Sequence, residues 1–423
     1  MEHARARWGT CQRVTRHEPR PVGQGRCSAD PRRRVGPAPR GRRYRPGRDR
    51  ASVAACNPGS VNDALIAALH RATGHQQRFE ARFAAYFDTL TDPASGALDL
   101  PPHGAFPRQA LDLVRELSLR GGKRLRVALL HEAAALVTHE SVPGLDDAAV
   151  SIELLHTHGL IHDDIIDDAP VRRGGPSTYY AYRDRFPDRP DVALALAVLA
   201  GDLAAFLSMR VLLAADLPPA RIPAMAAVPA EAGAAMINGQ ILDLERDFHP
   251  AAGIGFLHTV TEYKSTRYSV LAPLRLGLLA AGADIALYEG ELRAYATAVG
   301  IANQIHDDWL DLFGDSAALG KPLGSDIRTG RRSYVVRALL AAADDAERKV
   351  LDAVLGDPAC DDDALDRIRR IARAHGIDSS LRADAEHHAR QAAAQAGTWG
   401  HRWRPDAVAF FEHLPAWSVM RDR

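Results

Sequence analysis

The chain has 423 residues, of which 25% are charged, and its formal net charge is zero. The charge is unevenly distributed, because residues 1–50 hold 15 Arg against four acidic residues and the rest of the chain carries −11. Four Cys, at positions 11, 27, 56 and 360, lack metal-ligand spacing, which argues against a structural zinc module and fits a reducing, cytoplasmic compartment.

Residues 1–55 are rich in Arg, Pro and Gly and show almost no apolar periodicity. Such a segment cannot bury a core, so we predict a disordered tail. No interleaved aromatic residues and no amphipathic face accompany its charge, and we therefore expect no nucleic-acid partner. An organellar transit peptide is an alternative, since acidic residues are few, whereas the apolar core of a signal peptide is absent.

Residues 56–423 are predicted to form one all-α domain. Apolar residues recur there at spacings of three and four, and no run alternates as a strand would. The most apolar windows contain Asp202 and Arg210, or Arg275, which favours buried core helices over transmembrane segments. The periodic segments cover residues 60–88, 122–139, 146–168, 190–215, 219–245, 254–281 and 285–314.

A six-residue pattern, His-Asp-Asp-x-x-Asp, occurs twice in the helical region, beginning at positions 162 and 306. Residues four apart lie on one face of a helix, so Asp163 with Asp167, and Asp307 with Asp311, form two carboxylate clusters. Burying unpaired carboxylates costs several kcal/mol per ion, and a cation is therefore expected between them. Such hard oxygen ligands suit Mg²⁺ shared with substrate phosphates, which predicts a diphosphate substrate.

The bare Asp-Asp-x-x-Asp spacing also occurs at Asp362, Asp363 and Asp366, without a preceding His. This copy follows Pro358 and Asp361. We interpret it as the acidic first turn of a helix, where carboxylates complement the helix dipole, and not as a metal site.

Basic residues accompany the acidic clusters. Only four of the 53 basic residues are Lys, and three of them, Lys123, Lys264 and Lys321, have Gly or hydroxyl-bearing neighbours. Lysine is a compact point charge, and Gly lets backbone N–H groups approach an anion, so we predict phosphate contacts at these positions. Arg172 and Arg173, just after the first acidic cluster, are suited to grip diphosphate oxygens with their forked guanidinium groups.

These motifs, in this order, make the chain resemble the all-trans isoprenyl diphosphate synthases, the polyprenyl synthetase family, from about residue 60 to about residue 415. They are Gly-Gly-Lys-Arg-Leu-Arg at 121–126, His-Asp-Asp-Ile-Ile-Asp-Asp-Ala-Pro-Val-Arg-Arg-Gly at 162–174, Gly-Gln-Ile-Leu-Asp-Leu at 239–244, Tyr-Lys-Ser at 263–265 and Gln-Ile-His-Asp-Asp-Trp-Leu-Asp at 304–311, followed by Gly-Lys at 320–321 and Ser-Asp at 325–326. The resemblance implies an all-α, isoprenoid synthase-type helical bundle around a deep central cavity. It also implies a homodimer.

The resemblance further implies residue roles. Mg²⁺ ions, three of them with substrate bound, would bridge an allylic diphosphate to Asp163, Asp167 and Asp307. Supporting contacts, through water or to the ligands themselves, would come from Asp164, Asp308 and Asp311. The same diphosphate would be held by Arg172, Lys264 and Lys321. Isopentenyl diphosphate would be held by Lys123, Arg126, His156 and Arg173.

The implied reaction is a head-to-tail prenyl transfer. Neutralisation of the developing charge lets diphosphate leave, and the alkene of isopentenyl diphosphate attacks the allylic cation. The departing diphosphate is expected to take up the proton. Gln304 and the hydroxyl of Ser265 would line the cation pocket with dipoles. Ser265 stands where many members have Thr, and Arg331 and Arg332 stand where a Lys is common, from which we expect altered affinity but not inactivity.

Product length is predicted from the helix that precedes the first Asp cluster. In the family, bulky aromatic residues four and five positions before Asp163 stop the growing chain, whereas here these positions hold Gly159 and His158, with Leu155 a turn below. We therefore expect the twenty-carbon geranylgeranyl product, with farnesyl or longer products as alternatives. Phe206, on a neighbouring helix, is a further candidate for closing the pocket.

Two competing functions belong to other classes. A terpene cyclase would share the fold and the first Asp cluster, but its second metal motif normally follows an Asn/Ser/Glu pattern. A non-catalytic subunit of a synthase complex usually lacks one Asp cluster. Since both clusters are intact here, we expect an active synthase.

Overall fold

Helices make up most of the structure, a computed structural model that describes residues 58–248, 253–315 and 323–420. The predicted tail at residues 1–55 lies outside the described residues, so its disorder stays a prediction. The prediction of an all-α fold is confirmed. In chain order the helices are α1 (Pro58–Thr91), α2 (Phe106–Leu119), α3 (Leu125–Val137), α4 (Leu145–Ile166), α5 (Thr178–Arg185), α6 (Pro190–Leu213), α7 (Ile222–Arg246), α8 (Ile254–Thr261), α9 (Ala272–Ala280), α10 (Glu289–Phe313), α11 (Ser325–Thr329), α12 (Tyr334–Ala342), α13 (Asp345–Val354), α14 (Asp362–Ala374), α15 (Ile377–Gly397) and α16 (Pro405–Met420).

One short hairpin follows α4, so the prediction that no segment forms a strand is wrong at this place. β1 (Val171–Arg172) pairs antiparallel with β2 (Gly175–Pro176). The two residues between them, Arg173 and Gly174, have φ values of 51° and 76°. A two-residue turn with positive φ at both positions matches the right-handed twist of a hairpin. The turn therefore projects two consecutive arginines next to the end of α4.

The predicted helix over residues 254–281 is continuous but changes geometry in its middle. Between α8 and α9 lies a π-helix, Glu262–Leu271. A Cβ added at Gly239 of α7 would overlap the backbone of Lys264, and one added at Gly300 of α10 would overlap the side chain of Thr266. Both helices can therefore approach the π-helix closely only because these positions are glycine.

The two Asp-bearing helices meet around this π-helix. α4, α7 and α10 all pack against it, and α4 also packs against α6 and α3. α4 is apolar on nearly every side, which is typical of a helix enclosed by others. Small residues on α6 let that helix lie close to α4. They are fully buried in the same core as Ile152 and Ile161, and comprise Ala193, Ala197, Ala200 and Ala204.

The opposite face of α6 is apolar and exposed. Leu199, Phe206 and Leu213 have 60%, 68% and 60% of their surface accessible. In the described part of the chain, α6 is the one helix long and apolar enough to cross a membrane by length and composition, and 39% of that window is buried. The interpretation of this segment as a buried core helix therefore holds for one face only. Phe206 points outward and is not among the side chains that line the cavities described below.

The third Asp-Asp-x-x-Asp copy forms the first turn of α14. Asp361 caps this helix, and its carboxylate accepts a hydrogen bond from the N–H of Ala364 at 2.8 Å. Asp362 and Asp363 lie in the first turn. The prediction of a helix-start motif is confirmed.

Candidate active site

A cavity of about 650 Å³ opens beside the π-helix and α10. Its wall combines cationic side chains from the loop before α3 and from the hairpin with polar side chains from the π-helix and α10. Its lining includes Lys123, Arg126, Arg172, Arg173, Ser265, Gln304 and Asp307. A smaller neighbouring cavity is lined by Asp243, Lys264, Asp308, Asp326 and Arg331 and shares Ser265 and Gln304 with the first.

The first Asp cluster lies at the carboxyl end of α4. Asp163 Oδ1 is buried and accepts no hydrogen bond, but it lies 3.1 Å from Lys264 Nζ. Asp164 is fully buried, and Arg172 Nε donates a hydrogen bond to its Oδ1 at 2.7 Å. Burial raises the pKa of Asp164 to about 6, although Arg172 opposes the shift. Asp167 caps the helix, and burial also raises its pKa against the opposing charge of Arg331.

The second Asp cluster lies on α10 and is arranged differently. Asp307 lines the main cavity. Asp308 is buried and accepts hydrogen bonds from Gln304 Nε2 and from the backbone N–H of Tyr334, both at 2.8 Å. Burial, with the nearby charge of Asp326, raises the pKa of Asp308 to about 8.

The third carboxylate of this cluster holds the segment that follows α10. Asp311 accepts hydrogen bonds from the Ser325 hydroxyl at 2.7 Å and from the N–H of Asp326 at 3.0 Å. Asp326 is partly buried, and burial together with the charge of Asp311 raises its pKa to about 6. Asp308 and Asp311 thus orient α10 and its following loop, while Asp307 faces the cavity.

Two cations connect the first cluster to a third acidic site on α7. Lys264 Nζ lies 2.6 Å from Asp243 Oδ2, and Arg331 Nη2 lies 2.7 Å from the same oxygen. Arg331 also lies 3.7 Å from Asp167. Burial would raise the pKa of Asp243, but the charges of Arg331 and Lys264 outweigh it and lower that pKa.

Sequence reasoning missed two members of this network. The motif at 239–244 contributes to the family resemblance, but the sequence analysis assigns no role to its buried carboxylate, Asp243. Arg331 was noted only as a departure from a common Lys. The available signal was an acidic residue inside an otherwise apolar helix, which is costly unless a cation pairs with it.

The loop before α3 and the first turn of this helix each bring one cation to the cavity. Arg124 adopts a left-handed conformation with φ of 47°, and its buried guanidinium donates to Glu153 at 2.6 Å and to Glu80 at 2.8 Å. These ion pairs, of which the one with Glu153 is fully buried, hold the loop against α4 and α1. Lys123 and Arg126, which flank this segment of the chain, line the cavity wall.

His156 on α4 contacts this basic wall through Arg173. Arg173 Nη2 donates to His156 Nε2 at 3.0 Å, and Arg126 lies over the ring of Tyr268, 5.0 Å from its centroid. Burial, followed by the charges of Arg126 and Arg173, lowers the pKa of His156 well below its usual range. The imidazole is therefore neutral and acts as a hydrogen-bond acceptor for Arg173.

The structure thus brings most of the predicted site residues to two adjoining cavities. Lys321 lies outside the described residues, so its phosphate contact stays a prediction. The oxygen-rich first cluster fits a hard divalent cation, because among the described residues Asp163 Oδ1 is buried without a hydrogen bond and has the ammonium group of Lys264 beside it at 3.1 Å.

Comparison with known proteins identifies the family. The family model described as polyprenyl synthetase matches residues 108–372. The chain belongs to the polyprenyl synthetase family. It is 32% identical over 277 residues to a farnesyl diphosphate synthase of Escherichia coli, covering 64% of this chain and 85% of the relative. It is 29% identical over 302 residues to a geranylgeranyl diphosphate synthase of Sulfolobus acidocaldarius, covering 70% of this chain and 86% of the relative.

Solved structures share the fold of this polyprenyl synthetase. A geranylgeranyl pyrophosphate synthase from Corynebacterium glutamicum, complexed with isoprenyl diphosphate and magnesium, superposes with a TM-score of 0.69 at 24% identity and covers 85% of this chain and 99% of its own. A geranylgeranyl pyrophosphate synthetase from Pyrococcus horikoshii superposes with a TM-score of 0.67. The chain is therefore a prenyltransferase of the isoprenyl diphosphate synthase class, and the alternative of a terpene cyclase is not supported.

The residues expected to set product length in this polyprenyl synthetase face two different helices. Gly159 faces α7, where a Cβ would meet the sulfur of Met236 at 3.0 Å, and Leu155 lies against Gly233 of the same helix. His158 instead faces α6, where its Nδ1 lies 3.0 Å from the carbonyl oxygen of Gly201. Met236 is the buried side chain nearest to Gly159, and no sequence pattern had singled it out.

Proposed function

We propose that the enzyme condenses isopentenyl diphosphate with an allylic diphosphate and releases geranylgeranyl diphosphate as its main product. One observation supports this most strongly: acidic and basic groups suited to two diphosphates line two adjoining cavities between α4, the π-helix and α10. The geranylgeranyl pyrophosphate synthase of Corynebacterium glutamicum with the same fold is complexed with isoprenyl diphosphate and magnesium.

The allylic diphosphate is assigned to the acidic side of the site. We place Mg²⁺, three ions with substrate bound, on Asp163, Asp167 and Asp307, where bound magnesium would neutralise the leaving diphosphate. Lys264, 3.1 Å from Asp163, is positioned to exchange its carboxylate contact for a phosphate oxygen. Arg172, with Lys321, would complete this half-site.

Isopentenyl diphosphate is assigned to the basic wall. Lys123, Arg126 and Arg173 line the cavity, and His156 orients Arg173 by accepting its hydrogen bond. The positive charge of these side chains suits a second diphosphate, which they can grip through charge-assisted hydrogen bonds.

Bond cleavage depends on charge stabilisation, for which these side chains are arranged before substrate arrives. Lys264 and Arg172 stabilise the departing diphosphate, and Asp164 fixes the position of Arg172. Gln304, held by its hydrogen bond to Asp308, and Ser265 place dipoles beside the allylic carbon without a strong nucleophile. We expect the released diphosphate to accept the proton that the condensed product loses.

The proposed product length follows from the packing of α4 against α7 below the first Asp cluster. Gly159 presents no side chain there, and the flexible Met236 opposite it is the side chain that we expect to limit chain growth. A farnesyl or longer product is the alternative, and relatives of both the farnesyl and the geranylgeranyl type match the chain.

We also propose a homodimer formed through the exposed apolar face of α6. Leu199, Phe206 and Leu213 lie on this face with 60% to 68% of their surface accessible. An apolar face of this kind is typical of a surface that a partner covers. A cytoplasmic location stays a prediction.

The decisive test is incubation with isopentenyl diphosphate, Mg²⁺ and each allylic diphosphate in turn, followed by chromatography of the dephosphorylated alcohols. We expect geranylgeraniol as the main alcohol and no product when Mg²⁺ is chelated. A main product of fifteen carbons would overturn the assignment of product length but not of reaction. Absence of any prenyl product with every primer would overturn the proposed function.

A further inference from the structure

We propose that His158, His162 and Asp202 form a second metal site, for a borderline-soft divalent ion such as Zn²⁺, distinct from the two Asp clusters. His158 and His162 lie one turn apart on α4, and Asp202 lies on α6, which packs against α4. Each residue offers one ligand atom, and these atoms all lie within 4.8 Å of one another. The reaction assigned above gives none of these three side chains a role as a ligand.

A backbone carbonyl fixes the tautomer of His158. Its Nδ1 lies 3.0 Å from the oxygen of Gly201, and because a carbonyl can only accept, Nδ1 carries the proton. Nε2 therefore keeps its lone pair. Histidine ligands of metals typically donate their other ring N–H to a carbonyl or carboxylate in this way.

His162 presents a second nitrogen that lacks a hydrogen bond. Its Nε2 is buried, forms no hydrogen bond in the described part of the chain, and lies 3.4 Å from Asp202 Oδ1. A Cβ at Gly201 would overlap the His162 ring. The absence of a side chain at Gly201 thus gives the ring its place against α6, next to the carboxylate.

This ligand set selects against Mg²⁺. Two imidazoles and one carboxylate, with water as a fourth ligand, match a tetrahedral Zn²⁺ site, whereas Mg²⁺ requires oxygen ligands in octahedral geometry. Zinc ligands lie about 2.1 Å from the ion, so the three groups must move slightly closer together. Asp202 is half-exposed and can make this movement, and its exposure also gives the ion a path from solvent.

The contacts of the first Asp cluster leave this site separate. Asp163 contacts Lys264 and Arg172, and Asp167 contacts Arg331. None of these partners lies on α6. A metal held by the two histidines would therefore not require displacement of the cations that contact the Asp cluster.

The test uses untagged, metal-stripped enzyme titrated with Co²⁺, a spectroscopic substitute for Zn²⁺, in the presence of excess Mg²⁺ to occupy the Asp clusters. We expect one Mg²⁺-resistant equivalent of Co²⁺ with the visible absorption of a tetrahedral site, displaced by Zn²⁺. H158Q and D202N should each weaken Co²⁺ binding at least tenfold. His387→Gln, on the exposed surface of α15, is the matched control and should bind as the parent does.

Folding of the variants is checked by circular dichroism, and D202N, which changes a half-exposed side chain, keeps the test open if H158Q does not fold. Zn²⁺ should also raise the Tm of the parent enzyme but not that of D202N. The proposal is overturned if no Mg²⁺-resistant equivalent binds, or if D202N binds Co²⁺ like the parent. Loss of the bound equivalent in D163A with D202N unaffected would place the ion on the Asp cluster instead and would also overturn it.

Discussion

The two copies of His-Asp-Asp-x-x-Asp differ in what surrounds their carboxylates. In the first copy, on α4, the protein's own cations meet the acids: Lys264 and Arg172 at Asp163, and Arg331 at Asp167. In the second copy, on α10, neutral donors hold Asp308 and Asp311. The same motif therefore supplies a charge-balanced cluster on one helix and a rigid, hydrogen-bonded support on the other.

This difference has a consequence for substrate binding. The cations at the first cluster already neutralise it, so bound magnesium and diphosphate must exchange places with ammonium and guanidinium contacts there. At the second cluster, Asp308 and Asp311 accept hydrogen bonds from neutral donors, which bound diphosphate need not displace. We expect substitutions at the first cluster to change binding of diphosphate and substitutions around the second to change stability as well.

The largest effect should come from removing the first carboxylate of either copy. D163A and D307A should each lower turnover by several orders of magnitude, because departure of diphosphate depends on the metals. Steady-state assays with a saturating allylic diphosphate measure this. D363A, from the helix-start copy on α14, is the control and should retain the parent rate. Near-normal turnover in D163A or D307A would contradict the metal assignment.

A smaller effect is expected from the cation that joins Asp167 to Asp243. Arg331→Met should lower kcat/KM about 10²-fold, because it removes a charge beside the departing diphosphate. Arg331→Lys should retain most of the activity, since it keeps the charge at this position. Arg332→Met serves as the neighbouring control. Equal activities for the Met and Lys variants at position 331 would show that this charge has no part in the reaction.

Product length should respond to the two sides of α4. His158→Phe is expected to shorten the main product, and Met236→Ala, which removes the side chain opposite Gly159, is expected to lengthen it. Chromatography of the dephosphorylated alcohols gives both distributions. If both variants make the parent distribution, the tail of the growing chain does not pass along this part of α4.

The smallest effect concerns the pH dependence of stability at the second cluster. Burial raises the pKa of Asp308 to about 8, so between its unfolded value, near 4, and pH 8 the folded state holds more protons than the unfolded one. The free energy of unfolding therefore falls as pH rises through this window. Asp308→Asn removes this contribution and should gain at least about 1 kcal/mol over the parent between pH 5 and pH 8.

Urea denaturation of metal-free protein at several pH values measures this difference. Asp363→Asn, at the exposed start of α14, should follow the parent at every pH. A stability difference between Asp308→Asn and the parent that does not change with pH would show that Asp308 is ionised in both states at neutral pH.

The sequence predicted the elements of the fold better than the directions of the side chains. Helical periodicity located α4 and α10, and the repeated motif identified Asp163 and Asp307. The motif could not show that its middle carboxylates, Asp164 and Asp308, are buried. Their burial depends on donors far away in the chain, such as the backbone N–H of Tyr334. Only packing decides which carboxylate faces the cavity.

The π-helix and the hairpin were likewise beyond sequence reasoning. Both depend on local backbone conformation: the π-helix is accommodated by Gly239 and Gly300 on neighbouring helices, and the hairpin has a positive φ at Arg173. A non-glycine residue with positive φ is uncommon, and sequence rules therefore favour a different turn. Asp243 was missed for a related reason, since its cation partners come from distant segments.

In the proposed function, both Asp clusters hold one shared diphosphate through magnesium. Calorimetric titration with a non-ionisable allylic thiolodiphosphate, with and without Mg²⁺, tests this in the parent, D163A, D307A and the double variant. We expect Mg²⁺-dependent binding in the parent and strongly non-additive losses, so that the double variant binds no worse than the weaker single variant. Additive losses, or parent-like affinity in either single variant, would show that the two clusters do not share the diphosphate.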